Sequence, residues 1–291
     1  MNLLSPQIKL MMIGVLMIAT TVTATFLKTR TPTITTSNAS NSYMAILAKN
    51  TAIRFLSLID DNGESDYGYL KAELSQKSLK ENLNNGFTIE SYFSPDLVDE
   101  KGSTIFFAPI NSDSELSLEI SKEKSDTKNT ELAFNLSIPN SLKENCESEL
   151  IYVKTVLPSN KLVDWHHLAL TADVQGRIKL YFDGHNITSN DEVNFDLKCL
   201  KMDKIFLGAN PSESGFVSRP FQGLLDDFRF SKKIRYEKDF IPNESNRQIQ
   251  IDSFDLLLLR FNEDLDISHI RDESNYLQKV SSLGVIDYVS P

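Results

Sequence analysis

The sequence predicts an all-β chain, a two-sheet antiparallel sandwich, preceded by a hydrophobic N-terminal helix. Three observations point there. Short segments alternate apolar and polar residues with a period of two, as half-buried antiparallel strands do. The turns between them carry Gly where a positive φ is needed. Beyond the N-terminal stretch, no window longer than about 12 residues keeps a strong helical period.

The chain begins with Lys9 ahead of an apolar stretch from Leu10 to Leu27, closed by Lys28 and Arg30. Two readings stand for residues 1–28. A short apolar core (Leu10 to Ala19) followed by Val22 and Ala24 suits a signal peptidase. The whole stretch is also about the minimum length of a bilayer-spanning helix. Either reading places the remainder outside the cytoplasm, secreted or membrane-anchored. Residues 29–42 are rich in Thr, Ser and Asn and read as a flexible tether. The sandwich is expected over residues 43–291.

Within it, Phe87, Ile89, Ser91 and Phe93 share one strand face. Leu116, Leu118 and Ile120 share another, as do Leu132, Phe134, Leu136 and Ile138, and Ile178, Leu180 and Phe182. Gln175-Gly176 links two strands and Asp183-Gly184 ends the second. Asp255-Leu256-Leu257-Leu258-Leu259-Arg260-Phe261 is a continuous apolar run that needs cover on both faces, so it belongs inside a sheet. The residues after it are too few for a second domain of this type and are assigned to the same one.

Composition narrows the function. With 41% hydrophobic residues, 17 Phe and 9 Tyr, the chain can bury a sizeable core. A formal net charge of −10, with the basic residues scattered, sets the field against phosphate backbones and excludes a nucleic-acid partner. Cys146 and Cys199 are the only cysteines. In an exported chain they are a candidate disulfide, worth on the order of 4 kcal/mol in the chain-entropy model; two separate buried thiols are the alternative. Asn38, Asn135, Asn186 and Asn243 stand in Asn-x-Ser/Thr sequons, which matter only in a eukaryotic secretory route.

Several motifs in order resemble a known family. Phe87-Thr88-Ile89-Glu90 looks like an opening "F-T-I-E" strand, although Tyr92-Phe93 stands where a Trp is usual. Trp165-His166-His167-Leu168-Ala169-Leu170-Thr171 matches "W-H-H-L-A-L-T". The hairpin ending in Asp183-Gly184, Ile205-Phe206-Leu207-Gly208, and Phe221 to Phe230 with its "F-x-G-x-[LI]-D-[DE]-x-R" pattern follow. Arg235-Tyr236, Phe240 and Pro242 resemble the closing pattern. Together they resemble the laminin-G-like jelly-roll domains of the concanavalin A-like lectin/glucanase superfamily. The resemblance implies a concanavalin A-like jelly roll; its members include carbohydrate-binding modules and adhesion domains, so it does not name a ligand.

Candidate chemistry is weighed residue by residue. His166 and His167 are adjacent on a strand, so their rings point to opposite faces and cannot converge on one ion. Trp165 is read as structural, a core anchor. Asp226, by alternation, shares the inward face of Leu224, Phe228 and Phe230 and is read as a structural latch that accepts from backbone N–H groups or an Arg. Asp227 is expected on the other face, beside Arg229. Asp60, Asn62, Glu64 and Asp66 form the candidate Ca²⁺ loop, since clustered oxygens suit a hard cation. It fails as an EF-hand, with Ser65 in the Gly position and Lys71 in that of the closing Glu, and a solvated acidic turn is the competing reading. Asp264, Asp266 and His269 occupy the positions of the glucanases' catalytic strand, but His269 in place of the acid argues against hydrolysis.

The expectation is a non-catalytic, extracytoplasmic recognition domain binding a glycan or a protein ligand through rim loops, with the membrane engaged by the N-terminal segment. Tyr67 and Tyr69 are candidate contact residues. A structural component of an envelope or virion is the alternative, and a polysaccharide-active enzyme the third.

Overall fold

The computed structural model describes residues 51–59, 65–75, 83–98, 100–111, 114–123, 131–139, 148–155, 162, 164–188, 197–243, 247–262 and 270–290. The chain divides into two compact units, Met1–Ala45 and Ile46–Pro291, and every described residue lies in the second. The hydrophobic N-terminal helix and the tether therefore fall outside the described residues. Among the described residues, no helix is long and apolar enough to cross a membrane.

Among the described residues, nineteen strands follow in chain order. They begin with β1 (Ala52–Phe55), β2 (Ser57–Ile59), β3 (Ser65–Tyr67), β4 (Tyr69–Glu73), β5 (Phe87–Leu97) and β6 (Ser103–Asn111). Next come β7 (Ser114–Glu123), β8 (Glu131–Pro139), β9 (Ser148–Thr155), β10 (His166–Ala172), β11 (Ile178–Phe182) and β12 (His185–Asn186). The last are β13 (Lys204–Leu207), β14 (Asn210–Pro211), β15 (Val217–Ser218), β16 (Gln222–Ser231), β17 (Asp255–Leu259), β18 (Lys279–Leu283) and β19 (Ile286–Val289).

Fifteen of them form two large antiparallel sheets, and β2–β3 and β14–β15 are separate two-stranded ribbons. The eight-stranded sheet runs β12-β11-β10-β5-β16-β1-β19, with β17 also on β16; the seven-stranded sheet runs β18-β4-β13-β6-β7-β8-β9. Both sheets send alternate residues into one core. Phe87, Ile89 and Phe93 enter it from β5, and Leu116, Leu118 and Ile120 from β7. Phe134, Leu136 and Ile138 of β8 join Ile178, Leu180 and Phe182 of β11 there. Phe134 and Phe182 meet across the sandwich with ring centroids 5.6 Å apart. The period-2 reading holds for these strands; the side chain of Leu132 lies outside the described residues.

The Asp183-Gly184 turn joins β11 to β12 in a two-residue hairpin loop, with φ of 48° and 78° as a primed turn requires. Gly184 is fixed twice over, because a Cβ there would lie 1.9 Å from the Phe240 carbonyl oxygen. The Leu256–Leu259 run is buried on both faces, but its pairing is lopsided. β17 pairs with the far half of β16, beyond the part taken by β1. On its other side the Leu258 N–H donates to Asp272 Oδ1 at 2.9 Å, and the Leu258 carbonyl accepts from the Glu273 N–H at 2.8 Å. A carboxylate thus stands in for part of a strand edge, which lets an apolar run be covered without a second full strand. The C-terminal hairpin then divides, β18 adding to the smaller sheet and β19 to the larger.

Leu257 is fully buried whereas Leu277 is 77% exposed. Leu257→Ala is therefore expected to lower unfolding free energy by about 2–5 kcal/mol. Leu277→Ala should change it by less than about 0.5 kcal/mol. Urea unfolding of the two variants checks the difference.

Candidate functional site

Across β10, β5, β16 and β17 the outer face of the larger sheet is not open to water. The segments Arg235–Asn243 and Arg247–Phe254, a strap leading from β16 to β17, lie against it. Cross-strand register puts Glu90 of β5 between Arg229 of β16 and Ala169 of β10 on this face. Glu90 is 2% exposed. Its carboxylate accepts from Arg229 Nε at 2.7 Å, from a second Arg229 nitrogen, from the Tyr236 hydroxyl at 2.7 Å, and pairs with His167 Nε2 at 3.1 Å. Burial alone would raise its pKa, but the His167 hydrogen bond, the Arg229 charge and the Tyr236 hydroxyl outweigh it and hold the carboxyl at about 2. Tyr236 stacks on Phe240 with centroids 3.6 Å apart, and Phe240 packs edge-on against His167. Arg235 ties the same segment down through Asp252 and Asp255.

His166 and His167 do point to opposite faces. His166 stacks on the core ring of Phe182 and bonds through Nδ1 to Asp183 at 2.8 Å, while His167 joins Glu90 outside.

Asp226 differs from its expected face. Between Asp226 and Phe228 the β16 register slips by one residue against Tyr92 and Ser91 of β5, and Asp227 takes a φ of 41°. This is a β-bulge, and one extra residue resets the alternation. Leu225, Phe228 and Phe230 face the core. Asp226, opposite Tyr92, is turned to the strap side, where Arg247 Nε donates to its Oδ2 at 3.1 Å. Asp227 faces away from the core as expected, but it is fully buried beneath the strap, where it accepts the Ile249 N–H. Burial pushes Asp226 up to about 7 against the opposing Arg247 charge, and Asp227 up to about 8 against the Ile249 hydrogen bond. Trp165 is half-buried and belongs to a small outer cluster with Tyr92, Ile249 and Leu258, not to the inter-sheet core. The Arg247 guanidinium lies over its ring, 4.4 Å from the centroid.

Among the described residues, two grooves lie at opposite ends of β5. Beside its Phe87 end, a cavity of about 600 Å³ is lined by the β10–β11 turn (Asp173, Gln175, Arg177) and by Ile234, Tyr236 and Glu237. Asp173 is already engaged there by the backbone and side chain of Arg177. Beside the Leu97 end, a groove of about 420 Å³ is lined by Tyr67, Leu97, Lys101, Phe216, Arg219 and Gln222, among others. Three rim pieces build it: the end of β3, the β5–β6 loop and the β14–β15 hairpin. Phe216 is 71% and Leu97 52% exposed, an apolar floor beside cationic and amide groups. Arg219 is pinned by Glu119 at 2.7 Å and holds a φ of 48°. Tyr67 lines this groove; Tyr69 turns instead toward Phe206, with centroids 6.1 Å apart. Phe216 and Arg219 escaped sequence reasoning because a two-residue rim strand has no periodicity to reveal it.

The calcium loop is only partly in view. Asp60, Asn62 and Glu64 lie outside the described residues, and Asp66 is exposed on β3. Among the described residues, no group of three or more His, Cys, Asp or Glu is placed to hold a metal ion. Asp264, Asp266 and His269 also lie outside them, as do Asn38 and Cys146. Cys199 is buried and is not a free thiol. Of the other sequons, Asn186 is exposed, Asn135 Nδ2 donates to Ser121 Oγ at 3.3 Å, and the Asn243 carbonyl accepts the Tyr92 hydroxyl at 3.1 Å.

Two antiparallel sheets wrapped around one core define a jelly-roll sandwich of the concanavalin A type. The profile of the laminin-G-type family described as the concanavalin A-like lectin/glucanases superfamily matches residues 62–239. The chain belongs to this family. Among solved structures, a protein of Bacteroides ovatus described as a candidate carbohydrate-binding protein aligns at TM-score 0.51 and 16% identity, over 83% of this chain and 60% of that one. The chain thus spans less than two thirds of that relative. The CBM40 domain of a Ruminococcus gnavus sialidase, bound to α2,3 sialyllactose, aligns at TM-score 0.41 and 15% identity, over 63% of this chain and 92% of that one. Domains LG4-5 of the mouse laminin α1 chain align at TM-score 0.41 and 16% identity, over 65% and 44%. No curated protein matches the sequence.

Removing the Glu90 carboxylate strands buried donors from three elements. Glu90→Ala is expected to cost about 3–5 kcal/mol in urea unfolding. Because the folded pKa is depressed to about 2, the stabilisation is complete above the ordinary carboxyl value of 4.5 and is lost as pH falls from there through about 2. A urea-midpoint series between pH 6 and 2 should fall less steeply in Glu90→Ala than in the parent.

Proposed function

We propose that this is a non-catalytic recognition domain that binds carbohydrate, or a protein partner, through the groove between Tyr67, the β5–β6 loop and the β14–β15 hairpin. The observation that carries this reading is the groove itself. It has the size of a small-ligand site, an exposed Phe216 floor, and Lys101, Arg219 and Gln222 able to orient a polar ligand. It sits on rim loops of a scaffold whose sheets are occupied on the core side and, for the larger sheet, beneath the strap as well. Aromatic floors with a few placed polar groups are how such sites combine area with specificity.

The similarity to proteins whose descriptions mention carbohydrate binding supports the same reading. The buried carboxylates of the strap face serve structure, and the described lining of the rim groove supplies no pair of carboxyl groups for glycoside hydrolysis. The proposal extends to location: an exported domain, secreted or held at a membrane by its N-terminal segment, with Cys199 paired to Cys146 in an oxidising compartment.

A glycan array probed with the purified protein, with calcium and then with chelator, tests the reading. Phe216→Ala is expected to weaken binding to any positive glycan at least about tenfold while shifting unfolding free energy by less than about 0.5 kcal/mol. Binding lost with chelator assigns the Asp60–Asp66 loop a role. Binding that survives Phe216→Ala unchanged removes the groove from the account.

A further inference from the structure

We propose that the Asp226–Asp227 pair is a proton-loaded latch for the strap, so that the strap is held tightly at mildly acidic pH and loosens as pH rises. The argument starts from charge and burial. Both side chains have no exposed surface. Facing them are one directly bonded guanidinium, Arg247, and one amide, that of Ile249. Neither Oδ1 accepts from any N–H or O–H among the described residues. The two adjacent carboxyls thus share one guanidinium and one strap amide, and acceptor-only carboxylates cannot satisfy one another without a proton. Two full negative charges side by side in this setting are too costly, so the docked strap retains a proton.

Burial also raises Asp255 on this face, but that carboxylate is bonded to Arg235 and the Asp252 N–H, whereas each carboxyl of the pair keeps an oxygen without a donor among the described residues. From β5 come Tyr92, raised well above its ordinary value, and Glu90, already ionised within its own network. From β16 comes Arg229, and from β17 Asp255, both engaged in the Glu90 and Arg235 network. Beyond β17, Arg260 opposes the charge on Asp227 and Glu273 adds to it. The strap supplies Arg247, Arg235 and Asp252; Trp165 and His167 close the side toward β10. His167 is an imidazole on the same face, bonded to Glu90, and the test must separate it from the pair.

The direction follows from linkage. With the strap lifted, both carboxyls meet water and lose their protons near the ordinary value of 3.8; docked, they keep protons up to about 7 and about 8. Docking is therefore tightest below about pH 4, weakens as pH rises through the interval, and is weakest above about pH 8, by up to about tenfold per pH unit for each group. The strap also forms one wall of the larger groove through Tyr236 and Glu237, so the latch sets how firmly that wall is held.

Trp165 is the single tryptophan and lies under Arg247, so its emission reports docking directly. The test follows Trp165 emission and amide hydrogen exchange at Ile249 in the full chain between pH 5.5 and 8.5, corrected for intrinsic exchange. Protection at Ile249 should fall at least about tenfold, with an accompanying emission change. Asp227→Asn should flatten both profiles, with Asp226→Asn as the second variant should the first not fold, while His167→Gln should keep them. Flat profiles in the parent protein overturn the latch. So do Asp variants that titrate like the parent, and so does a transition that disappears with His167.

Discussion

One buried carboxylate organises the outer half of this molecule. Glu90 lies at the centre of the larger sheet, where neighbouring strands present Arg229 and His167 and the strap presents Tyr236. An ionised carboxyl with so little solvent is tolerated only when its lone pairs are filled by well-placed donors. The three donors come from three elements distant in sequence, so satisfying one charge fixes where β10, β16 and the strap lie relative to β5. The inter-sheet core makes the sandwich stable; Glu90 makes its outer face specific.

That closure limits where the proposed recognition could occur. A jelly roll offers two sheet faces and two rims, and here the outer face of the larger sheet is spent on Tyr236, Phe240, Ile249 and the ion pairs of Arg235 and Arg247. What stays accessible is set by short rim pieces, and the Phe216 hairpin is the clearest of them. Its position is held from below: the Thr104 N–H donates to the Arg219 carbonyl at 2.8 Å, and Arg219 is anchored on Glu119. A rigid scaffold carrying variable, polar-and-aromatic rim loops is the usual division of labour in such folds, which is why the family determines architecture and leaves the ligand to the loops.

Much of the fold was legible because alternation is a direct readout of burial. Phe87 to Phe93, Leu116 to Ile120 and Ile178 to Phe182 contribute to the core as their spacing implies, and Asp183-Gly184 turns where positive φ is required. The failures have physical causes. A β-bulge at Asp227 leaves no trace in a two-residue period, so Leu225 rather than Asp226 faces the core, while Phe228 and Phe230 keep the face their spacing implies. Trp165 reads as core by residue type, yet the strap creates a second apolar cluster that no local pattern announces. The site was less legible still. Tyr67 was visible as an aromatic beside a polar turn, but Phe216 and Arg219 acquire meaning only when three loops far apart in sequence converge. The buried network did have a sequence signature, since a Glu on an apolar strand and an Arg on another need each other. That Glu90 and Arg229 face one another is a matter of register, which the sequence does not print.

The dependence on Glu90 is tested most directly by a double-mutant cycle joining Glu90→Gln and Tyr236→Phe, read by urea unfolding. If the carboxylate positions the strap, the two substitutions should be strongly non-additive, with a coupling of about 1–3 kcal/mol. Additivity within about 0.3 kcal/mol would mean that Tyr236 is held by its stacking on Phe240 alone, and would contradict the view that one buried charge organises this face.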